Sequence, residues 1–261
     1  MGKAFSVASD LGPEQIIRGH NKTPSSADAR VCAATPELSV IIPTLNASAF
    51  LSDSFYSLRE AVDSIRAEII VVDGGSTDDT VTKAKALGAH VITAPRGRGC
   101  QMSAGAKEAA GKWLLFLHAD TTLEPFWSTT VTSFMKNKNN KLKAAYFVFA
   151  LDDASNAARR VEVLANWRAR RFGLPYGDQG LLMSRSLFNT LVGYLEIPIM
   201  EDVDMVRRIG KHNLVELPAT ATTSARRYRK GGFWLRPLKN ISLLCMYFMG
   251  VSPKRLAALY D

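Results

Sequence analysis

Apolar positions fall into two kinds of run that alternate along the first half of the chain. Leu38-Ser39-Val40-Ile41-Ile42 is a short β-branched run closed by Pro43. Glu68-Ile69-Ile70-Val71-Val72-Asp73 and Trp113-Leu114-Leu115-Phe116-Leu117 are runs of the same kind. Such runs, without polar alternation, suit strands buried on both faces of a parallel sheet. Between the first two, Phe50, Leu51, Phe55, Leu58, Ala61, Val62 and Ile65 recur near helical spacing and predict a helix over 49–66. Ser76, three residues ahead of Asp79, predicts a capping-box-like start to a helix over 77–87, which Gly88 closes. Val91-Ile92-Thr93 reads as a third strand and 100–110 as a small-residue helix ending at Gly111. The order to residue 120 is therefore βαβαβαβ. Crossovers this short make the strands parallel and place helices on the sheet's faces. The fold class is α/β, a Rossmann-like, mostly parallel central sheet flanked by helices.

The second half is less regular. It predicts helices over 126–138, 154–172 and 203–211 and a strand over 144–151. The helix over 154–172 is basic, with Arg159, Arg160, Arg168, Arg170 and Arg171. Residues 1–36 lack apolar periodicity and read as a poorly ordered arm with a short helix near 13–18. Residues 37–230 read as the main domain. Residues 231–261 read as an amphipathic helical tail, with Trp234, Phe248 and Leu256 beside Arg236, Lys239, Lys254 and Arg255.

Hydrophobic residues make up 47% of the 261 and charged residues 22%, an ordinary globular balance. The formal net charge of +9 favours anionic partners such as nucleic acid, acidic lipid or phosphorylated ligands. Cys32, Cys100 and Cys245 match no zinc or redox spacing, and His20, His90, His118 and His212 are scattered. The odd cysteine count fits a reducing, cytoplasmic compartment. No secretory signal is read at the start, and the longest apolar stretch, 241–251, is about half of what a membrane-spanning helix needs. A soluble protein, or one peripheral to a membrane through its tail, is expected. No helix-turn-helix, RRM or zinc-finger pattern supports nucleic acid as the partner.

Candidate chemistry gathers at the strand ends, where open α/β sheets bind ligands. Asp73 and Asp120 each end a strand, placed either to bind a nucleoside or cation or to cap the next helix. Pro95-Arg96-Gly97-Arg98-Gly99 brings two guanidinium groups to one loop, a match for a diphosphate or simply a solvated turn. Glu201, Asp202 and Asp204 crowd a helix start, where the dipole favours acids and mutual repulsion can raise one pKa into a general base's range. No GxGxxG or GxxxxGK[ST] occurs, which argues against dinucleotide and P-loop chemistry.

Taken in order, Leu38-Ser39-Val40-Ile41-Ile42-Pro43-Thr44-Leu45-Asn46, Val71-Val72-Asp73-Gly74-Gly75-Ser76-Thr77-Asp78-Asp79-Thr80, Leu117-His118-Ala119-Asp120 and Glu201-Asp202 resemble glycosyltransferase family 2 over residues 37–230. Gly97-Arg98-Gly99-Cys100-Gln101-Met102 and Gly177-Asp178-Gln179-Gly180 resemble a subgroup of small bacterial-type members. The resemblance implies a GT-A fold and an inverting transfer of sugar from a nucleotide-diphospho-sugar, by family habit a UDP-sugar, to an acceptor hydroxyl. It implies that Pro43, Thr44, Asn46, Asp73, Arg98, Gln101, Asp120 and Arg227 bind the donor. Asp120 would hold Mg²⁺ or Mn²⁺ on the diphosphate, and Asp202, with Glu201, would be the catalytic pair. Asp178 and Gln179 would face the acceptor, whose identity no motif gives.

Three positions depart from the family pattern. His118 replaces the first acid of Asp-x-Asp, Gly74 replaces an acid often found beside Asp73, and Ser224-Ala225-Arg226-Arg227-Tyr228 does not match Gln-x-x-Arg-Trp. A nucleotidyltransferase on a similar fold would carry a Gly-rich, Arg/Lys-containing signature where Pro43-Thr44-Leu45-Asn46 stands. A non-catalytic nucleotide-sugar-binding module is the remaining alternative.

Overall fold

The computed structural model describes residues 35–233 and 235–260. The expected arm as far as residue 34, its short helix, and Trp234 lie outside the described residues. The first half follows the expected order: β1 (Leu38–Thr44), α1 (Leu51–Ile65), β2 (Ala67–Asp73), α2 (Thr80–Ala86), β3 (His90–Thr93), α3 (Arg98–Glu108) and β4 (Trp113–Phe116). β5 (Thr121–Leu123), α4 (Trp127–Lys136), β6 (Ala144–Leu151), α5 (Asn156–Phe172), β7 (Leu181–Ser184) and α6 (Arg185–Thr190) come next. α7 (Glu201–Ile209), β8 (Leu214–Thr223), α8 (Arg226–Gly231), α9 (Leu235–Phe248) and α10 (Pro253–Tyr260) complete the chain.

The eight strands form one sheet in the order β3-β2-β1-β4-β7-β6-β8-β5. β1 pairs in parallel with β2 and β4, and β2 with β3. Beyond β4 the sheet is mixed: β7 runs antiparallel to β4 and β6, β6 and β8 are parallel, and β5 is antiparallel to β8. Strands β5, β7 and β8 carry no apolar run long enough to stand out in the sequence, and neighbouring strands supply what local propensity lacks.

The apolar runs are buried on both faces, as a covered sheet requires. Leu38, Val40 and Ile42 join the core beneath α1 and α4, while Ile41 joins the core beneath α3 and α7. β4 divides its residues in the same way: Trp113 and Leu115 face one core, Leu114 and Phe116 the other. In α1, Leu51, Phe55, Leu58, Ala61 and Ile65 form the buried stripe. Leu243, Leu244 and Leu256 of the tail helices are buried in the same core as Met102 and Val203.

Two local expectations are corrected. Pro43 does not close β1, because β4's pairing ends at Ile41 and the strand continues to Thr44 against β2 alone. Ser76 does not cap α2: its hydroxyl donates to Asp73 and accepts from the Asn46 N–H, and the helix starts only at Thr80.

The small residues of α3 let it lie close on the sheet. A Cβ placed on Gly105 would come within 2.5 Å of Ile41 Cγ2 and 2.9 Å of Val72 Cγ2. Gly105→Val should therefore lower unfolding free energy by about 1–3 kcal/mol through overpacking, measured by urea denaturation. An unchanged midpoint would mean that α3 does not sit this close.

Candidate functional site

The carboxyl ends of β1, β2 and β4 open on one edge of the sheet, and two adjoining cavities lie there. The larger, about 550 Å³, is lined by Pro43, Thr44, Asn46, Phe50, Arg96, Arg98, Gln101, Asp120 and Arg227 among others. The smaller, about 100 Å³, is lined by Tyr176, Gly177, Asp178, Asp202, Ser224, Arg236 and Asn240 among others. Arg98, His118, Asp120, Ile199 and Arg227 belong to both walls. A cavity of several hundred Å³ suits a nucleotide-sized ligand.

Seven of the eight expected donor residues thus meet at the larger cavity; Asp73 does not reach it. Asp73 is 3% exposed and receives hydrogen bonds from the N–H groups of Gly75 and Ser76, both at 2.9 Å, and from the Ser76 and Thr44 hydroxyls. Its carboxylate shapes the turn after β2. Asn46, in the left-handed region at φ 51, accepts from the Thr77 N–H at 2.8 Å and ties the β1 loop to that turn.

Gln101 reaches the cavity wall but spends its amide on the sheet. Its Nε2 donates to Thr44 O and Val72 O, both at 2.8 Å, bracing β1 and β2 where their own ladder ends. It also accounts for Gly74: a Cβ there would come within 3.0–3.2 Å of the Gln101 amide. The acid often present beside Asp73 in the resembling family has no room unless Gln101 moves.

His118 stands half-buried between the cavities. Burial, followed by the charges of Arg98 and Arg227, lowers its pKa to about 3, so the imidazole is neutral at physiological pH. A Cβ on Gly177 would come within 2.6 Å of His118 Nε2, so this glycine is what admits the ring. The Gly177 N–H donates to Asp202 Oδ2 at 3.0 Å, and the Val203 N–H to Oδ1 at 2.8 Å. Those two bonds aim the Asp202 carboxylate into the smaller cavity.

Glu201 takes a different place from its neighbour. It is 1% exposed, lies behind Arg98, and bonds Arg98 Nε at 2.6 Å through Oε1, while Oε2 has no hydrogen-bond partner. Burial pushes its carboxyl upward and Arg98 draws it back. Asp178 lines the smaller cavity, and burial, reinforced by Asp202 and Asp120 against Arg168, raises its pKa to about 6. Gln179 is fully buried away from both cavities, its Nε2 donating to Phe147 O at 3.2 Å.

The sequence did not single out Tyr176, Arg236 or Asn240 as site residues. Arg168 lies 3.3 Å above the Tyr176 ring, and Arg236 and Asn240 come from α9. Their only signal was the i, i+4 spacing of two polar residues in an amphipathic segment.

Among the described residues, no three His, Cys, Asp or Glu side chains converge as a self-sufficient metal site. Asp120 offers one carboxylate on the shared wall. That fits a Mg²⁺- or Mn²⁺-type cation completing its shell with phosphate oxygens and water.

Comparison with known proteins gives the family and the fold. The family described as glycosyl transferase family 2 matches residues 39–180, more than half of the chain. A PGL/p-HBAD biosynthesis glycosyltransferase of Mycobacterium bovis is 40% identical over 98 residues, 34% of this chain and 38% of that protein. Glucosyl-3-phosphoglycerate synthase of Mycobacterium tuberculosis is 43% identical over 56 residues, 22% of this chain and 17% of that protein. The chain thus spans about two-fifths or less of the length of these curated relatives. The crystal structure of that synthase with Mn²⁺, UDP and phosphoglyceric acid superposes with a TM-score of 0.52 at 20% identity, covering 72% of this chain and 69% of that one. The mannosyltransferase PcManGT of Pyrobaculum calidifontis, solved with GDP-Man and Mn²⁺, gives 0.54 at 16% identity, covering 72% and 57%.

Gly74→Asp should cost about 1–3 kcal/mol in the wild-type background and distinctly less when Gln101 is Ala; additive costs in urea denaturation would separate the two residues. Asp178 yields a pH test in metal-free buffer. Its folded pKa exceeds the ordinary 3.8, so the native state binds the proton more tightly and this group's contribution to stability falls as pH rises from about 4 to about 6. Asp178→Asn lacks this titration. Its melting temperature relative to wild type should rise between pH 4 and pH 7, and a constant difference would refute the shift.

Proposed function

The chain belongs to glycosyltransferase family 2, and from that premise we propose that it transfers a sugar, with inversion, from a UDP-sugar in the larger cavity to an acceptor hydroxyl in the smaller one. The observation that carries this reading is the shared wall. Arg98, Asp120 and Arg227 border both cavities, and the Asp202 carboxylate opens into the smaller one. The donor's diphosphate at that wall would leave its anomeric carbon facing Asp202. Complexes of structural neighbours with UDP or GDP-Man and Mn²⁺ lend support on the donor side.

In this scheme the acceptor oxygen attacks the anomeric carbon from the side opposite the leaving group. The C–O bond to the diphosphate breaks as the new glycosidic bond forms, and the hydroxyl proton passes to Asp202. The nucleoside diphosphate departs with the bonding electron pair. Arg98 and Arg227 stabilise the charge growing on it. A divalent cation held by Asp120 would supply further charge neutralisation at the same oxygens. Neutral His118 adds no positive charge, and the Gly177 N–H beside it keeps Asp202 in place. Asp178 would orient the acceptor.

Asp202→Asn keeps the shape and loses the base. It should lower turnover by about 10²–10⁴-fold with UDP binding unchanged. Asp120→Ala should remove the Mn²⁺-dependent part of UDP binding in calorimetric titration. Full turnover in Asp202→Asn would dismiss Asp202 as the base. Metal-independent binding of UDP, or preference for GDP, would revise the donor.

A further inference from the structure

α9 has two faces with different tasks. Its inner face buries Leu243 and Leu244 in the core and presents Arg236 and Asn240 to the smaller cavity. Its outer face is apolar. Leu235, Leu238, Ile241, Cys245, Phe248 and, just past the helix end, Met249 are all exposed. At 100° per residue they fall within about 140° of arc, an apolar stripe interrupted only by Ser242. Leu235 is 71% exposed, Leu238 62% and Met249 73%. Side chains of this size in such a row ordinarily mark a contact surface.

The charge around the stripe says what kind of contact. Lys239 is exposed on α9 itself, and between residues 226 and 260 the sequence holds no Asp or Glu. Lys254 and Arg255 are exposed on α10, which packs against α9. The Arg207 guanidinium lies 5.0 Å over the Phe248 ring and adds a cation at the stripe's far end. The same chemistry recurs on α5, where Val163, Leu164 and Trp167 are exposed beside Arg171. Tyr176, on the wall of the smaller cavity, meets both helices: Arg168 of α5 covers its ring, and Cys245 of α9 is among its electrostatic neighbours.

We propose that the outer face of α9 seats the protein on an anionic phospholipid bilayer, apolar stripe in the interface and cations on the headgroups. An interfacial helix has this composition: an apolar face, basic flanks and no long hydrophobic span. Among the described residues no helix is long and apolar enough to cross a membrane, so the contact is peripheral. A neutral surface would offer no counter-charge to Lys254 and Arg255. A second copy of the chain would set like charges against each other, since the flanks of the stripe are uniformly basic. Seated in this way, α9 would lie between the bilayer and the smaller cavity.

The test is co-sedimentation of the full chain with vesicles of phosphatidylcholine alone or mixed with phosphatidylglycerol. Wild type should pellet with the mixed vesicles, and salt should weaken the binding. Lys254→Gln with Arg255→Gln should reduce partitioning by about fivefold per cation. Leu238→Glu with Ile241→Glu should abolish it while melting temperature and UDP binding stay at wild-type values. Failure of wild type to pellet, or equal pelleting of the Leu238→Glu, Ile241→Glu protein, overturns the proposal. So does a dimer, seen by light scattering, that the same pair of substitutions dissolves; the stripe would then cover a second copy. UDP binding is read separately, so loss of the membrane contact does not touch the donor site.

Discussion

The pairing of Arg98 with Glu201 is the contact around which the site is arranged. It joins the first residue of α3 to the first residue of α7, two helices distant in sequence that enter the same edge of the sheet. A carboxylate this deeply buried is costly without a counter-charge, and removing one member of a buried pair strands the other. The bond therefore holds Arg98 at the wall common to both cavities. By anchoring Glu201 it also sets the register of α7, so that the next residue, Asp202, meets the Gly177 N–H. Met200, in the left-handed region at φ 69, makes the turn into the helix possible, a strained position of the kind found beside functional groups.

A second constraint divides the polar residues into two groups. At the sheet's open edge side chains add hydrogen bonds to backbone carbonyls and turn N–H groups, as buried polar groups require. Gln101 takes Thr44 O and Val72 O, Asp73 takes the turn after β2, Asn46 takes Thr77, and Gln179 takes Phe147 O. Those side chains build the edge. Arg98, Asp120, Asp178, Asp202 and Arg227 instead line a cavity. Residues of both groups stand side by side in the same motifs, so a motif read whole mixes scaffold with chemistry.

The α9 helix applies the same economy on a larger scale. One surface completes the core and the smaller cavity, and the other is an apolar stripe with basic flanks. The helix that lines the smaller cavity thereby also carries an exposed apolar stripe.

Much of the fold was legible along the chain. The runs at 38, 68 and 113 became strands because uninterrupted β-branched and apolar residues are stable only where both faces of a sheet are covered. The first four strands run parallel because each intervening helix carries the chain back to the end of the sheet where the previous strand began. Pro43, Thr44, Arg98, Asp120 and Asp202 could be named as candidates because ligand-binding groups in such sheets lie at strand ends and helix starts. Tertiary structure alone decided that Gln101 excludes a side chain at Gly74 and that Glu201 backs Arg98. It also decided that Tyr176, Arg236 and Asn240 close the smaller cavity. Each of those outcomes depends on contacts between residues 25 or more positions apart or on which hydrogen bonds remain unmade at a sheet edge. Local sequence records the type of a side chain and its spacing; the partner that consumes its hydrogen bonds is chosen only when the chain has packed.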